Sequence, residues 1–143
     1  VVDPHTGALI AGARERADSL NLLNTVQAQL RGENARNLSV GSNTTIGVIA
    51  TNASLNKSQA QRLAQLGHDG LAHAIRPVHT PLDGDTLFGL ATGEVAGTPD
   101  MMLLSTLAAE VAARATVRSV QAAQSLRIGD GWWPAASDLP TPT

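Results

Sequence analysis

The sequence predicts an α/β fold, and three observations carry that prediction. From Thr44 onward, β-branched apolar runs alternate with stretches of helical periodicity in the order strand, helix, strand, helix. Pro77 and Pro99 punctuate the junctions, and no internal repeat is detectable. The chain has 143 residues, 43% of them hydrophobic, which suffices for one core and one domain and no more.

Val1 and Val2 read as the tail of a strand that ends in the turn formers Asp3-Pro4-His5-Thr6-Gly7. Ala8 to Ala13 continues as an apolar segment able to form one arm of a hairpin. Leu20, Leu22, Leu23, Val26 and Leu30 line one face of a short helix, and Arg31 to Asn43 reads as a mobile linker. Thr44 to Ala53 (TTIGVIATNA) is β-branched and apolar and predicts a buried strand. Asn56 stands three residues before Gln59, a capping-box pair that opens a helix over 57–75. Its apolar face is Ala60, Leu63, Ala64, Gly67, Leu71, Ala74 and Ile75. Gly67 and Gly70 each cost about 1 kcal/mol of helix stability relative to Ala, so the pair points to close packing, with a simple kink as the alternative. Arg76-Pro77 ends the helix, and a loop over 77–85 leads into a second strand, Thr86 to Gly93.

Thr98-Pro99-Asp100 supplies a hydroxyl cap, a proline for the first helical position and an acid for the first turn. The helix it opens reaches about Leu126 and buries Met101, Leu104, Ala108, Val111, Ala112 and Ala115. The tail from Ile128 to Thr143, with Trp132, Trp133 and its prolines, is expected to be irregular.

Composition removes several function classes. Ten Lys plus Arg against twelve Asp plus Glu give a net charge of −2, which argues against nucleic acid as the main partner. Charged residues make up 15%, against roughly 25% in an ordinary soluble domain. So sparse a charge predicts that much of the surface faces other protein. The absence of Cys removes disulfides, thiolate metal sites and Cys nucleophiles. No apolar run approaches the length of a membrane span and no signal peptide opens the chain, which leaves cytoplasm as the default location. The chain opens on Val1-Val2-Asp3-Pro4 rather than Met, and a missing upstream half is the expectation.

Few residues offer chemistry. His68 and His73 stand about 140° apart around a helix, and with His5 and His79 they read as surface or hydrogen-bonded side chains rather than a metal set. Asp83-Gly84-Asp85 lacks the repeated acids of a calcium loop, Gly129-Asp130-Gly131 reads as a plain turn, and neither phosphate-binding glycine motifs nor a nucleophile elbow occur. What remains is the junction Gly41-Ser42-Asn43-Thr44-Thr45-Ile46, where a polar linker meets a hydroxyl residue that opens a strand. Thr at the first position of a strand is common and needs no chemistry. It becomes a nucleophile if the Asn43–Thr44 bond is cut, because a free α-amine, titrating at roughly 7.7–8.0, can take the hydroxyl proton.

The string NTTIGVIATNA, the amphipathic helix after it and then RPVHTPLDGDTLFGLATG resemble the DmpA-type aminopeptidase family, which includes β-peptidyl aminopeptidases and nylon-oligomer hydrolases. The likeness runs from about Gly41 to Gly93, with weaker agreement in the final helix and in the upstream DPHTG and AGAR. It is nearest to the Thr-nucleophile nylon-oligomer hydrolases. The resemblance implies an αββα four-layer sandwich of the N-terminal-nucleophile-hydrolase type, this chain supplying only its C-terminal part. Residues 1–43 would end the large subunit and 44–143 would form the small one. It implies self-cleavage between Asn43 and Thr44, Thr44 as the nucleophile of an acyl-enzyme route, and Asp83 and Asp85 as acids that hold and polarise its hydroxyl and ammonium. Asp85 as a turn acid at the start of the strand is the alternative.

The resemblance implies that a Lys and an Asn or other oxyanion donors lie in the large subunit, upstream of Val1, and that this chain is expected to hold only part of the active site. In an uncut precursor Thr44 has no free amine and is expected to be inactive toward substrate. The resemblance further implies a large-subunit partner, a homo-oligomer (tetramer or larger), a small peptide or amide substrate, and no cofactor or metal. Trp132 and Trp133 are candidate contact anchors, or pack on their own subunit. Two other functions stay open: an unprocessed or weak family member acting as a structural or binding component, and a related acyltransferase.

Overall fold

A computed structural model describes residues 1–16, 18–33 and 43–140. Its elements are α1 (Thr25–Leu30), β1 (Ile46–Ala53), α2 (Lys57–Ala74), β2 (Thr86–Val95), α3 (Met101–Ala122), β3 (Leu126–Ile128) and β4 (Gly131–Trp133), then a 3₁₀ turn at Ala136–Asp138. The mixed α/β architecture agrees with the predicted order. Most of the linker expected over Arg31 to Asn43 lies outside the described residues. No helix among the described residues is long and apolar enough to cross a membrane.

β1 and β2 run parallel, paired from Ile46↔Thr86 to Thr51↔Ala91, with a register shift before Ala53↔Val95. Parallel neighbours need a crossover, and α2 supplies it. The predicted capping box opens that helix: the Asn56 side chain accepts from the Gln59 N–H and the Gln59 side chain accepts from the Asn56 N–H. Opposite residues on the inner face of the sheet pair bulk with glycine, Leu87 against Gly47 and Ile49 against Gly89. Gly89 brings the sheet against the Ala60 carbonyl of α2, and a Cβ at Gly67 would meet Ile49 and Leu87 at 2.8 Å. Gly70 faces the Ala109 carbonyl of α3 with no room for a methyl. The helical glycines are therefore packing sites rather than kinks. Around them Ile49, Leu63, Ala108 and Ala112 form the core, with Leu55, Leu66, Leu87 and Leu104 packed against it.

The outer face of the same sheet is bare among the described residues. Ile46, Val48, Phe88 and Leu90 are 72%, 59%, 56% and 52% exposed. The strand read as buried is thus buried on one side only. Alternation along β1 and along β2 as far as Thr92 puts every second residue outward, and nothing described covers that face.

α3 departs from expectation at both ends and in its face. Asp100, not Thr98, is the cap: its carboxylate accepts from the N–H groups of Met102 and Leu103, so the helix begins after the acid. It stops at Ala122, because Leu126–Ile128 turns back antiparallel onto Gly131–Trp133. Ala108, Ala112 and Ala113 are buried while Val111 and Ala115 are exposed, since the contact with α2 is a narrow stripe of small residues. The tail is correspondingly more ordered than expected. Gly129 and Asp130 make the predicted turn, the Arg127 guanidinium lies 5.4 Å from the Trp132 ring centroid, and the Ala135 N–H donates to Ser125 Oγ at 2.7 Å. Trp133 stays 53% exposed.

At the other end, an antiparallel bridge Val2↔Leu9 closes the expected hairpin around a turn in which Asp3 accepts from His5 and Thr6. The Thr6 N–H, then that of His5, holds the Asp3 carboxyl below its usual range. The Val2 N–H donates to the Ala74 carbonyl at 2.8 Å, which docks the segment on the end of α2.

Candidate active site

Just before β1 and β2 become regular strands, the two segments already pair. Asn43 bridges Asp83 in parallel, and the Gly84 N–H donates to the Asn43 carbonyl at 3.2 Å. Two residues on, the Thr86 N–H donates to the Thr45 carbonyl at 2.8 Å. The peptide bond between Asn43 and Thr44 is therefore held against the loop that carries Asp83, Gly84 and Asp85. Thr44 is exposed and lies across Gly84, where a Cβ would stand 2.8 Å from its Oγ1. The backbone at Gly84 is not left-handed, so what the glycine provides is room for that hydroxyl.

The two acids do different things. Asp83 belongs to its own turn: its Oδ2 accepts from the Thr80 N–H at 2.7 Å and its N–H donates to the Thr80 carbonyl at 3.0 Å. Asp85 reaches across to the other segment, where its Oδ1 accepts from the Thr45 N–H at 2.8 Å. A carboxylate oxygen thus takes a place that a backbone carbonyl fills elsewhere in the ladder. The hydrogen bonds described for these carboxylates come from backbone, the Thr45 N–H for Asp85 and the Thr80 N–H for Asp83.

Behind Asp85 stands His79. The Asp85 side chain is 6% exposed, and its Oδ2 lies 3.0 Å from His79 Nδ1. That approach is within ion-pair distance but off line for a hydrogen bond, and Oδ2 is buried with no aligned donor among the described residues. His79 has φ 55°, a left-handed backbone uncommon for a side-chain-bearing residue. Its ring sits 4.9 Å from that of His68 on α2, tilted by 56°, and its Nε2 is 3.4 Å from the His68 carbonyl. Sequence reasoning read His79 as a surface or hydrogen-bonded side chain; it is exposed, and Asp85 could not be named as its neighbour. The available signal was its place in the same short loop as Asp83 and Asp85. Among the described residues no three His, Asp or Glu converge as a metal site.

All three residues singled out at the junction, Thr44, Asp83 and Asp85, lie at the start of this parallel pair. The family model for Peptidase family S58 matches residues 3–132. Over 68 residues the chain is 56% identical to a protein of Mycobacterium tuberculosis (strain ATCC 25618 / H37Rv) named an uncharacterized aminopeptidase, which covers 48% of this chain and 20% of that protein. A likewise named protein of Mycobacterium leprae (strain TN) is 45% identical over 97 residues, 59% of this chain and 27% of the relative. The 6-aminohexanoate-oligomer endohydrolase of Paenarthrobacter ureafaciens is 40% identical over 53 residues, 37% and 15% of the respective chains. The chain spans about a fifth of the length of the mycobacterial relative that it matches at 56% identity. With the match running through nearly its whole length, the chain belongs to Peptidase family S58.

Proposed function

We propose that the whole protein is a self-processing amide hydrolase in which Thr44 is the nucleophile. The observation that carries this reading is the contact of the Gly84 N–H with the Asn43 carbonyl, with the Thr44 hydroxyl beside the same glycine. A backbone donor on a carbonyl stabilises the charge that develops there when an oxygen adds to it. The hydroxyl of Thr44 adds to the Asn43 carbonyl carbon through a five-membered ring. The C–N bond then breaks, an ester forms on Oγ1, and the hydroxyl proton ends on the freed Thr44 amine. Water cleaves the ester, which leaves a carboxylate at Asn43 and restores the hydroxyl.

In the cut protein the Thr44 amine is the base for its own hydroxyl. Attack on a substrate amide gives an acyl-enzyme and releases an amine, and water completes the turnover. Asp85 anchors the backbone immediately after the nucleophile, and Asp83 and Asp85 together favour an ammonium at Thr44. The substrate class is a short peptide or a linear amide oligomer, in keeping with the names of the relatives.

On this reading residues 1–43 end the large subunit and 44–143 form the small one. The bare face of Ile46, Val48, Phe88 and Leu90 is the surface on which the large-subunit part packs a second sheet, completing a four-layer αββα sandwich. The large subunit also brings further donors to the site, and the assembled cytoplasmic protein is a homo-oligomer of four or more copies. Expression of the full precursor followed by N-terminal sequencing tests the central step: a fragment beginning Thr44-Thr45-Ile46 is expected. A precursor that stays uncut while folded would give the fold a structural or binding role. Transfer of the acyl group to an added amine in preference to water would make it an acyltransferase.

A further inference from the structure

We infer that His79 is a positioning residue for this site: it holds the buried Oδ2 of Asp85, so that Oδ1 stays on the Thr45 N–H and the Thr44 hydroxyl keeps its place. The consequence for rate rests on the function proposed above; the structural link from His79 to Thr45 does not.

Three features carry the inference. Asp85 is almost wholly buried, and one of its oxygens is committed to the Thr45 N–H at 2.8 Å. The other has the His79 imidazole 3.0 Å away and no aligned hydrogen-bond donor among the described residues. A buried carboxylate oxygen without a partner is costly, and the group that faces this one is His79, whose own side chain is 38% exposed. Without the ring, Asp85 gains by turning toward water or taking a proton, and either change loosens its hold on Thr45. The imidazole turns Nδ1 toward Asp85 and Nε2 toward the His68 carbonyl.

The third feature is the backbone of His79. A residue with a side chain keeps φ near 55° only where its surroundings over-determine it, and such positions cluster at functional sites. Here the ring, 38% exposed, has Asp85 on one side and His68 of α2 on the other. His79 thereby ties the loop that carries Asp83 and Asp85 to the helix on which the sheet is packed.

The test uses the full-length precursor with His79→Ala and His79→Asn. The Asn side chain offers an amide N–H near the place of Nδ1. His79→Ala is expected to slow scission between Asn43 and Thr44, and to lower kcat on a short peptide amide with KM little changed, by about 10²-fold, the penalty of a nucleophile misplaced by an ångström. His79→Asn recovers part of both rates, and so does added imidazole in His79→Ala. In an uncut Thr44→Ala background, hydrogen exchange of the segment containing the Thr45 N–H becomes faster in His79→Ala and returns toward the parent in His79→Asn. Unchanged rates and unchanged Thr45 protection in His79→Ala would overturn the inference. So would losses that follow melting temperature alone, with Asn no better than Ala. If the parent precursor is never cut, the proposed function falls, and the exchange measurement still decides the role of His79.

Discussion

The parallel pair β1–β2 meets in two different ways along its length. At its start, residues 43–45 and 83–86 are joined by polar atoms: a backbone N–H on the Asn43 carbonyl, a buried carboxylate on the Thr45 N–H, and a histidine behind that carboxylate. Along its body the inner face packs closely on α2: a Cβ at Gly89 would run into the Ala60 carbonyl, and one at Gly47, or at Gly67 of α2, would press on the side chains of Leu87 and Ile49. The start spends its hydrogen-bonding capacity on placing one exposed hydroxyl, whereas the body holds the sheet against α2. Substitutions in the two regions should therefore separate, one set reading out in chemistry and the other in stability.

The largest effect is expected at Thr44. Thr44→Ala in the full precursor removes the attacking oxygen, so scission at Asn43 and amide turnover both fall by about 10³-fold or more while the fold persists. Self-cleavage surviving in that variant, seen by mass spectrometry, would break the assignment of the nucleophile and with it the contrast between the regions. Asp85→Asn comes next. Its amide oxygen can still accept from the Thr45 N–H, but the charge facing His79 is gone and an NH₂ group is buried in place of an oxygen. A fall of about 10²-fold in scission rate, with the cut site unchanged, is expected. A normal rate would reduce Asp85 to a turn acid.

Two glycines then set the regions against each other directly. Gly89→Ala forces a methyl into the Ala60 carbonyl of α2, an overpacking that costs about 1–3 kcal/mol and lowers the urea midpoint. Gly84→Ala presses on the Thr44 side chain, with the hydroxyl nearest at 2.8 Å. It is expected to slow scission by about 10-fold through misplacement of that oxygen, with the unfolding midpoint unchanged. Equal losses of stability in both variants would show that the two regions are one packing unit.

The body of the fold was legible in the sequence because its signals are local. Periodicity found both long helices and both strands, the Asn56–Gln59 pair found a cap, and two costly glycines in one helix announced close contact with their neighbours. Where competing local signals stood side by side, the reading slipped: Thr98 and Asp100 both can cap, and the acid wins because it reaches two N–H groups. The β3–β4 hairpin was missed because three-residue strands carry no alternation to read. At the site, Thr44, Asp83 and Asp85 could be named from the resemblance, but what each acid touches could not. The role of His79 depends on a left-handed backbone and on a neighbour from another element, α2, and neither leaves a pattern in the chain around it.

The smallest effect should arise at Asn56, and it calibrates the others. Its side chain accepts from the Gln59 N–H at 2.9 Å, one of the orphan donors at the start of α2, while its own N–H is bound in return by Gln59. Asn56→Ala loses the first bond and keeps the second, at a cost of about 1 kcal/mol. The residue is exposed and belongs to the turn at the far end of β1 from Thr44. A lowered urea midpoint with an unaltered slope is therefore expected, together with a scission rate equal to that of the parent. Should this variant also slow scission, α2 would be transmitting strain along the strand to its start, and rate losses at Asp85 or Gly84 would have to be corrected for stability before being assigned to chemistry.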